Sequence, residues 1–278
     1  MPKIDFEFLN KITRLIYQRY DYDFRNYALA PLQRRLQRIL SLKNLSSKEL
    51  LAKLELPIFF KQEFLEEIPV RITEMFRDPE FWKTLRNTTI PALVNKKDNL
   101  NVWLAGCASG EEVLSLSILL YEAGLLNRTK LIGSDINYLN LQRMKEGKYS
   151  IDQIKASEKN YELSGGRKNL TDYYKKLYQT AEFNKELLDC VTYVEQDLVT
   201  DAPPPPGMFD LIICRNVLIY FNKDLQNQVI NKFHNSLKQD GVLAIGSNES
   251  LLWFEKQKYF KPVSKEKKIF QLVKLPFE

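Results

Sequence analysis

The sequence predicts an α/β protein with a mostly parallel sheet, an antiparallel hairpin at its C-terminal edge and a small all-α domain in front. Three observations predict it. The first ninety residues carry helical periodicity and no sustained strand alternation. From about residue 100, short apolar runs ending in Gly, Asp or Asn alternate with helical segments, the pattern of strands joined by crossover helices. Two last runs, YFKPVS and KKIFQLVKL, flank a charged turn, as an edge hairpin would.

In chain order, 5-DFEFLNKITRLIYQRY-20 places Phe6, Leu9, Ile12, Leu15 and Ile16 along one helix face. The stretch 31-PLQRRLQRIL-40 repeats that spacing, with Pro31 suited to a first helical turn. A serine cap opens 46-SSKELLAKLEL-56, and 58-IFFKQEFLEEI-68 continues as helix. Residues 1–90 are therefore expected to form one helical domain. Strands are expected at LNVWLA (100–105), TKLIGSD (129–135), VTYVEQD (191–197), FDLIICRN (209–216) and VLAIGSN (242–248). They assign residues 91–278 to the second domain. Residues 150–190, with a turn at 164–166, read as an insertion of short strands or helices, and PPPP at 203–206 as a stiff loop.

Composition narrows the functional classes. Of 278 residues, 44% are hydrophobic and 27% charged, ordinary for a globular protein. No run approaches the roughly 18 apolar residues of a membrane span, and the N-terminus lacks the apolar core of a signal peptide, so a cytoplasmic protein without membrane insertion is expected. Cys107, Cys190 and Cys214 are too scattered for a disulfide framework, and with His234 the only histidine no zinc spacing exists, so no metal is expected. A Ser-His-Asp or Cys-His mechanism would need that histidine, and no nucleophile elbow is present. The net charge is +6, and residues 31–48 hold five basic residues and no acid.

The stretch 102-VWLAGCASGEEVLSL-116 carries the chemistry. Strand, glycine turn and helix form a nucleotide-type cradle, yet the spacing is Gly106-x-x-x-Gly110, followed by Glu111 and Glu112. The glycines admit a close backbone approach, and the two carboxylates repel phosphate. Asp135 ends the next strand, 29 residues after Gly106, where an acid accepts hydrogen bonds from ribose hydroxyls. S-adenosylmethionine fits: an adenosine, a zwitterionic tail, a sulfonium and no phosphate.

With these residues in view, the chain resembles the chemotaxis-receptor protein-glutamate O-methyltransferases (CheR type). Four blocks carry the resemblance in the family's order: 73-TEMFRDPEFW-82, 103-WLAGCASGEEVLSLSI-118, 134-SDINYLNLQRMKEGKY-149 and 209-FDLIICRNVLIYF-221, with 246-GSNESL-251 after them. The resemblance implies a Rossmann-like class I S-adenosylmethionine-dependent methyltransferase fold. It implies that Thr73 and Arg77 close over the cofactor, Arg77 toward its carboxylate. Glu111 or Glu112 would bind the ammonium. Neighbouring helical residues point about 100° apart, so one of the two is expected to do so, and Glu111 is favoured. Asp135 would hold the ribose, Asp197 and Leu198 would lie near the adenine, and Arg215 and Asn216 would end the fourth strand in the pocket. Tyr220 would face the site of transfer, where it or Arg215 would orient the incoming carboxylate. Three departures stand out: Arg71 where the family often has Asn, Asp197 in place of Asn, and no Pro-Tyr after the glutamates. Asp197 can only accept unless protonated.

The implied reaction gives a glutamyl methyl ester and S-adenosylhomocysteine. Carboxylates are ionised near neutral pH, so no general base is required, and alignment with exclusion of water would supply the catalysis. Arg34, Arg35 and Arg38 are the expected dock for the Glu-rich cytoplasmic helical region of a methyl-accepting receptor. The protein is expected to act as a monomer. A nucleic-acid methyltransferase would show N/D-P-P-Y/F after the fourth strand; Arg215-Asn216-Val217-Leu218 stands there instead, so no nucleic-acid partner is expected. The alternatives are a non-catalytic S-adenosylmethionine-binding signalling module, or an O-methyltransferase acting on another protein or a small molecule.

Overall fold

The structure, a computed structural model, describes residues 4–68, 73–95 and 98–273; Arg71 lies outside them. Helix α1 (Phe6–Tyr20) starts where the Asp5 side chain accepts from Phe8 N at 2.8 Å and stops at Asp21, which takes the left-handed conformation. Its buried face is Leu9, Ile12, Thr13 and Ile16, while Phe6, expected on that face, is 61% exposed. Phe6 is the first helical residue, and Ile4 rather than Phe6 fills the core at this end. Helix α2 (Leu29–Leu42) buries Leu32, Leu36, Ile39 and Leu40. Helix α3 (Ser47–Leu54) opens with a capping box between Ser46 and Glu49. A last helical run, residues 57–67, contains a π-helical turn over Phe60–Phe64 that faces Phe60 and Phe64 into the same core.

The seven-stranded sheet runs β6-β2-β1-β7-β8-β10-β9. Strands β1 (Leu100–Ala105), β2 (Thr129–Asp135), β6 (Val191–Glu195), β7 (Phe209–Cys214) and β8 (Leu237–Ile245) are mutually parallel. Strand β10 (Ile269–Leu272) is antiparallel to both β8 and β9 (Phe260–Ser264), forming the expected hairpin. β1 and β7 are buried almost throughout because helices cover both faces. The insertion is a small antiparallel sheet, β3 (Lys148–Ser150), β5 (Thr180–Phe183) and β4 (Tyr174–Leu177), in the order β3-β5-β4. It is anchored on buried Glu122, whose Oε1 accepts from the Tyr161 hydroxyl at 2.5 Å and the Tyr173 hydroxyl at 2.8 Å. Arg86 pairs with the other carboxylate oxygen at 2.5 Å.

The division between units comes earlier than residue 90. Ile4–Ile68 share one hydrophobic core, whereas Met75, Phe76, Phe81 and Trp82 pack with the sheet. Helical periodicity continues across that point, so it gives no sign of the change in partner. Cys107, Cys190 and Cys214 are free, and His234 sits at the boundary of the fold against Phe254, Tyr259 and Phe260. No helix among the described residues is long and apolar enough to cross a membrane.

Candidate cofactor and methyl-transfer site

The sheet order reverses between β1 and β7, and a cavity of about 250 Å³ opens there at the carboxyl ends of the strands. Its floor is the turn after β1. Gly106 has φ +72°, and a Cβ there would lie 2.6 Å from Val217 Cγ2. Gly110 has φ +93°, and a Cβ would meet Met144 Cγ at 2.3 Å. Both positions therefore demand glycine twice over, for conformation and for space. The N–H groups of Gly106 and Cys107 both donate to Ser134 O, at 2.8 and 2.9 Å, tying this turn to the end of β2.

Asp135 is held rigidly beside it. Oδ2 accepts from Ala108 N at 2.8 Å, and Oδ1 accepts from Asn137 N at 2.9 Å and Asn140 Nδ2 at 3.1 Å. Burial raises its pKa, and these hydrogen bonds oppose that rise. The carboxylate lines the cavity with about one of its four lone-pair sites, on Oδ2, left over for a hydroxyl donor. Asp197 and Leu198 line it after β6. Asp197 Oδ1 accepts from Val199 N at 2.7 Å, and burial raises the carboxyl's pKa while that hydrogen bond opposes the rise. Lys232 fixes this loop, its Nζ donating to the carbonyls of Leu198, Val199 and Asp201 at 2.9, 2.9 and 2.7 Å. Lysine 232 sits in the distant helix Lys223–Ser236, so its role has no local signature.

The two glutamates separate, in the opposite sense to the one favoured from sequence. Glu111 is fully buried and turned away from the cavity: Oε2 accepts from Ser109 Oγ at 2.7 Å and Oε1 from Gln153 Nε2 at 2.5 Å. Burial pushes its pKa to about 7. Glu112 lines the cavity. The insertion, which brings Gln153 over Glu111, decides which carboxylate is enclosed.

Glu112 is paired there with Arg215 Nη1, while Arg215 Nη2 reaches Asp78 Oδ2 at 2.5 Å. The guanidinium also lies over the Phe81 ring, 4.2 Å from its centroid, and its side chain is 1% exposed. Arg215 thus touches the cavity, but its fork is taken up by two carboxylates, and it joins the 77–81 segment to the helix start at Glu112. Thr73 and Arg77 line the cavity beside it, and Arg77 O accepts from Trp82 Nε1 at 2.9 Å.

Asn216, with φ +60°, and Tyr220, in the turn Leu218–Tyr220, form the opposite wall. Burial raises the Tyr220 phenol's pKa; a hydrogen bond from Arg35 and the charge of Arg77 act the other way. The three arginines of α2 do not form one patch. Arg35 faces the cavity, whereas Arg34 and Arg38 are exposed, Arg38 Nε also pairing with Glu67 Oε2 at 3.2 Å. Positions i and i+4 share a helix face and i+1 does not, which explains the split.

The N-terminal unit supplies an unexpected part of the wall. Phe24, Tyr27, Leu32 and Leu65 line the cavity. Tyr27 bridges Phe221 in antiparallel fashion: Ala28 N donates to Tyr220 O at 2.8 Å, and Asn222 N to Asn26 O at 3.0 Å. Burial, then the charges of Asp197 and Asp135, hold the Tyr27 phenol well above its ordinary pKa. The density of aromatics in 20-YDYDFRNY-27 was the one available signal.

A partly open cavity with an apolar flank, three acids and no glycine-lysine phosphate cradle suits an adenosine carrying a zwitterionic tail. Comparison with known proteins agrees. Residues 71–269 match the family described as CheR methyltransferase, SAM binding domain, and residues 7–66 match the CheR methyltransferase all-alpha domain. The chain is 40% identical over 262 residues to "Putative methyltransferase Cher3" of Pseudomonas putida, covering 94% of each. It is 30% identical over 214 residues to a chemotaxis protein methyltransferase of Borreliella burgdorferi, covering 74% of this chain and 73% of the relative. A chemotaxis protein methyltransferase of Listeria innocua is 28% identical over 254 residues, covering 91% and 93%. The chain belongs to the CheR methyltransferase family, and its cofactor is S-adenosylmethionine.

Proposed function

We propose that this protein transfers a methyl group from S-adenosylmethionine to glutamate side chains in the cytoplasmic helical region of a methyl-accepting chemotaxis-type receptor, acting as a cytoplasmic monomer. The observation that carries the reading is the cavity's layout. Three acids line it together with Tyr220 and Arg35, and the helix that carries Arg35 exposes Arg34 to solvent.

Asp135 takes the ribose hydroxyls, and Asp197 with Leu198 meets the adenine. Glu112, while still paired with Arg215, takes the ammonium, and Thr73 and Arg77 close on the carboxylate of the tail. When bound, the cofactor supplies an activated methyl group on a positively charged sulfur. The target glutamate is ionised near pH 7, so no side chain need remove a proton. Tyr220 and Arg35 hold that carboxylate by hydrogen bonds, and the aromatic wall from the N-terminal unit excludes water. Arg34 and Arg38 present positive charge to the acidic receptor helix.

The test is radiolabelled S-adenosylmethionine added to receptor-bearing membranes of the source organism. Base-labile label on a receptor-sized protein, lost with Asp135→Ala, is the expected result. Alkali-stable label, or label on nucleic acid, overturns the reading.

A further inference from the structure

Glu249 follows β8 in the stretch 246-GSNESL-251 and is 4% exposed, yet among the described residues no lysine or arginine forms an ion pair with it. Its charge is met by backbone instead. Oε2 accepts from Gly246 N at 2.5 Å and Oε1 from Ile219 N at 3.4 Å; burial raises the carboxyl's pKa, and the backbone N–H groups of Gly246, Leu218, Asn216 and Ile219 around it oppose that rise. Four backbone N–H groups surround the carboxylate, two of them within hydrogen-bond distance. Three of the four belong to the turn after β7, which leaves the sheet and has no strand partner for them. The fit is tight, since a Cβ on Gly246 would lie 2.8 Å from both Asn216 N and Glu249 Oε2. The same turn carries Asn216 and Tyr220 to the cavity and accepts Ala28 N from the N-terminal unit on Tyr220 O.

We propose that Glu249 is a positioning residue for methyl transfer: it clamps the 216–220 turn, and so sets Asn216 and Tyr220, without touching cofactor or substrate. The proposal rests on the function given above. Glu249→Gln keeps the size but puts an NH2 group among converging N–H donors. Three measurements are made on the full chain: calorimetry with S-adenosylhomocysteine for affinity and stoichiometry, single-turnover transfer from labelled S-adenosylmethionine to receptor-bearing membranes, and hydrogen exchange of peptides spanning 214–221, residue 246 and the strands of the sheet.

The expected result is a fall of about 10-fold or more in transfer rate per cofactor-loaded site, with a much smaller change in affinity. Exchange accelerates at 216–219 and at Gly246 but not in the strands, and Glu249→Asp, which keeps the charge, restores part of the rate. An unchanged rate per loaded site overturns the proposal, as does exchange accelerated evenly across the sheet, the mark of general destabilisation. If the Gln variant does not fold, Glu249→Asp is judged by the same two criteria. If the wild type binds cofactor but methylates no receptor, the proposed function fails and the exchange pattern alone decides the role of Glu249.

Discussion

Replacing Glu111 by Gln tests the assignment of the two adjacent glutamates. In the folded protein burial lifts this carboxyl from 4.5 to about 7, so folding favours its protonated form. An acid whose folded pKa is raised contributes most below its unfolded pKa. That contribution is lost as pH rises from about 4.5 through about 7. At roughly 1.4 kcal/mol per pH unit, the loss by pH 8 is about 3 kcal/mol. The amide is a permanent stand-in for the protonated acid, and its neighbours can adapt, since Ser109 Oγ can accept and the Gln153 amide can turn over. Denaturant unfolding of both proteins at pH 5 and pH 8 should show Glu111→Gln gaining on the wild type by about 2–3 kcal/mol across that interval. S-adenosylhomocysteine affinity should stay nearly constant, because Glu111 does not line the cavity. A stability difference independent of pH would refute the assignment of a buried, raised carboxyl. A loss of affinity matching that of Glu112→Gln would refute its orientation.

Glu112→Gln should weaken S-adenosylhomocysteine binding about 10- to 100-fold in calorimetry, since it removes the charge meeting the ammonium and leaves Arg215 underpaired. Gly106→Ala should lower thermal stability and abolish cofactor binding, because the residue must hold φ +72° with a Cβ 2.6 Å from Val217. The double substitution Arg34→Glu with Arg38→Glu should raise KM for receptor membranes about 10-fold, an effect that shrinks with added salt, and leave cofactor affinity intact. Tyr27→Ala should raise the Kd for S-adenosylhomocysteine about 5- to 30-fold, the loss of one aromatic wall; unchanged binding would show that the N-terminal unit only covers the site.

Much of the site could be read from residues adjacent in sequence. Gly106 and Gly110 are legible because a turn between strand and helix needs their backbone freedom. Asp135 is legible because the end of β2 falls beside that turn in any sheet of this topology. The engagement of Arg215 was not legible, because its partners Asp78 and Glu112 lie 137 and 103 residues away. Lys232 and Glu249 escaped notice for a similar reason: each acts by side-chain contacts to backbone of another element, which leaves no periodicity behind.

The sequence by itself determined the alternation of strands and helices, the phosphate-free character of the cradle and the acids at the strand ends. These follow from local propensity, hydrophobic period and charge, which need no knowledge of distant partners. Only the tertiary structure decided that Glu112 rather than Glu111 faces the cavity, that Arg35 turns inward while Arg34 points to solvent, and that Tyr27 walls a site on another unit. Each of those outcomes depends on which element covers a side chain, and packing between segments far apart in the chain sets that cover.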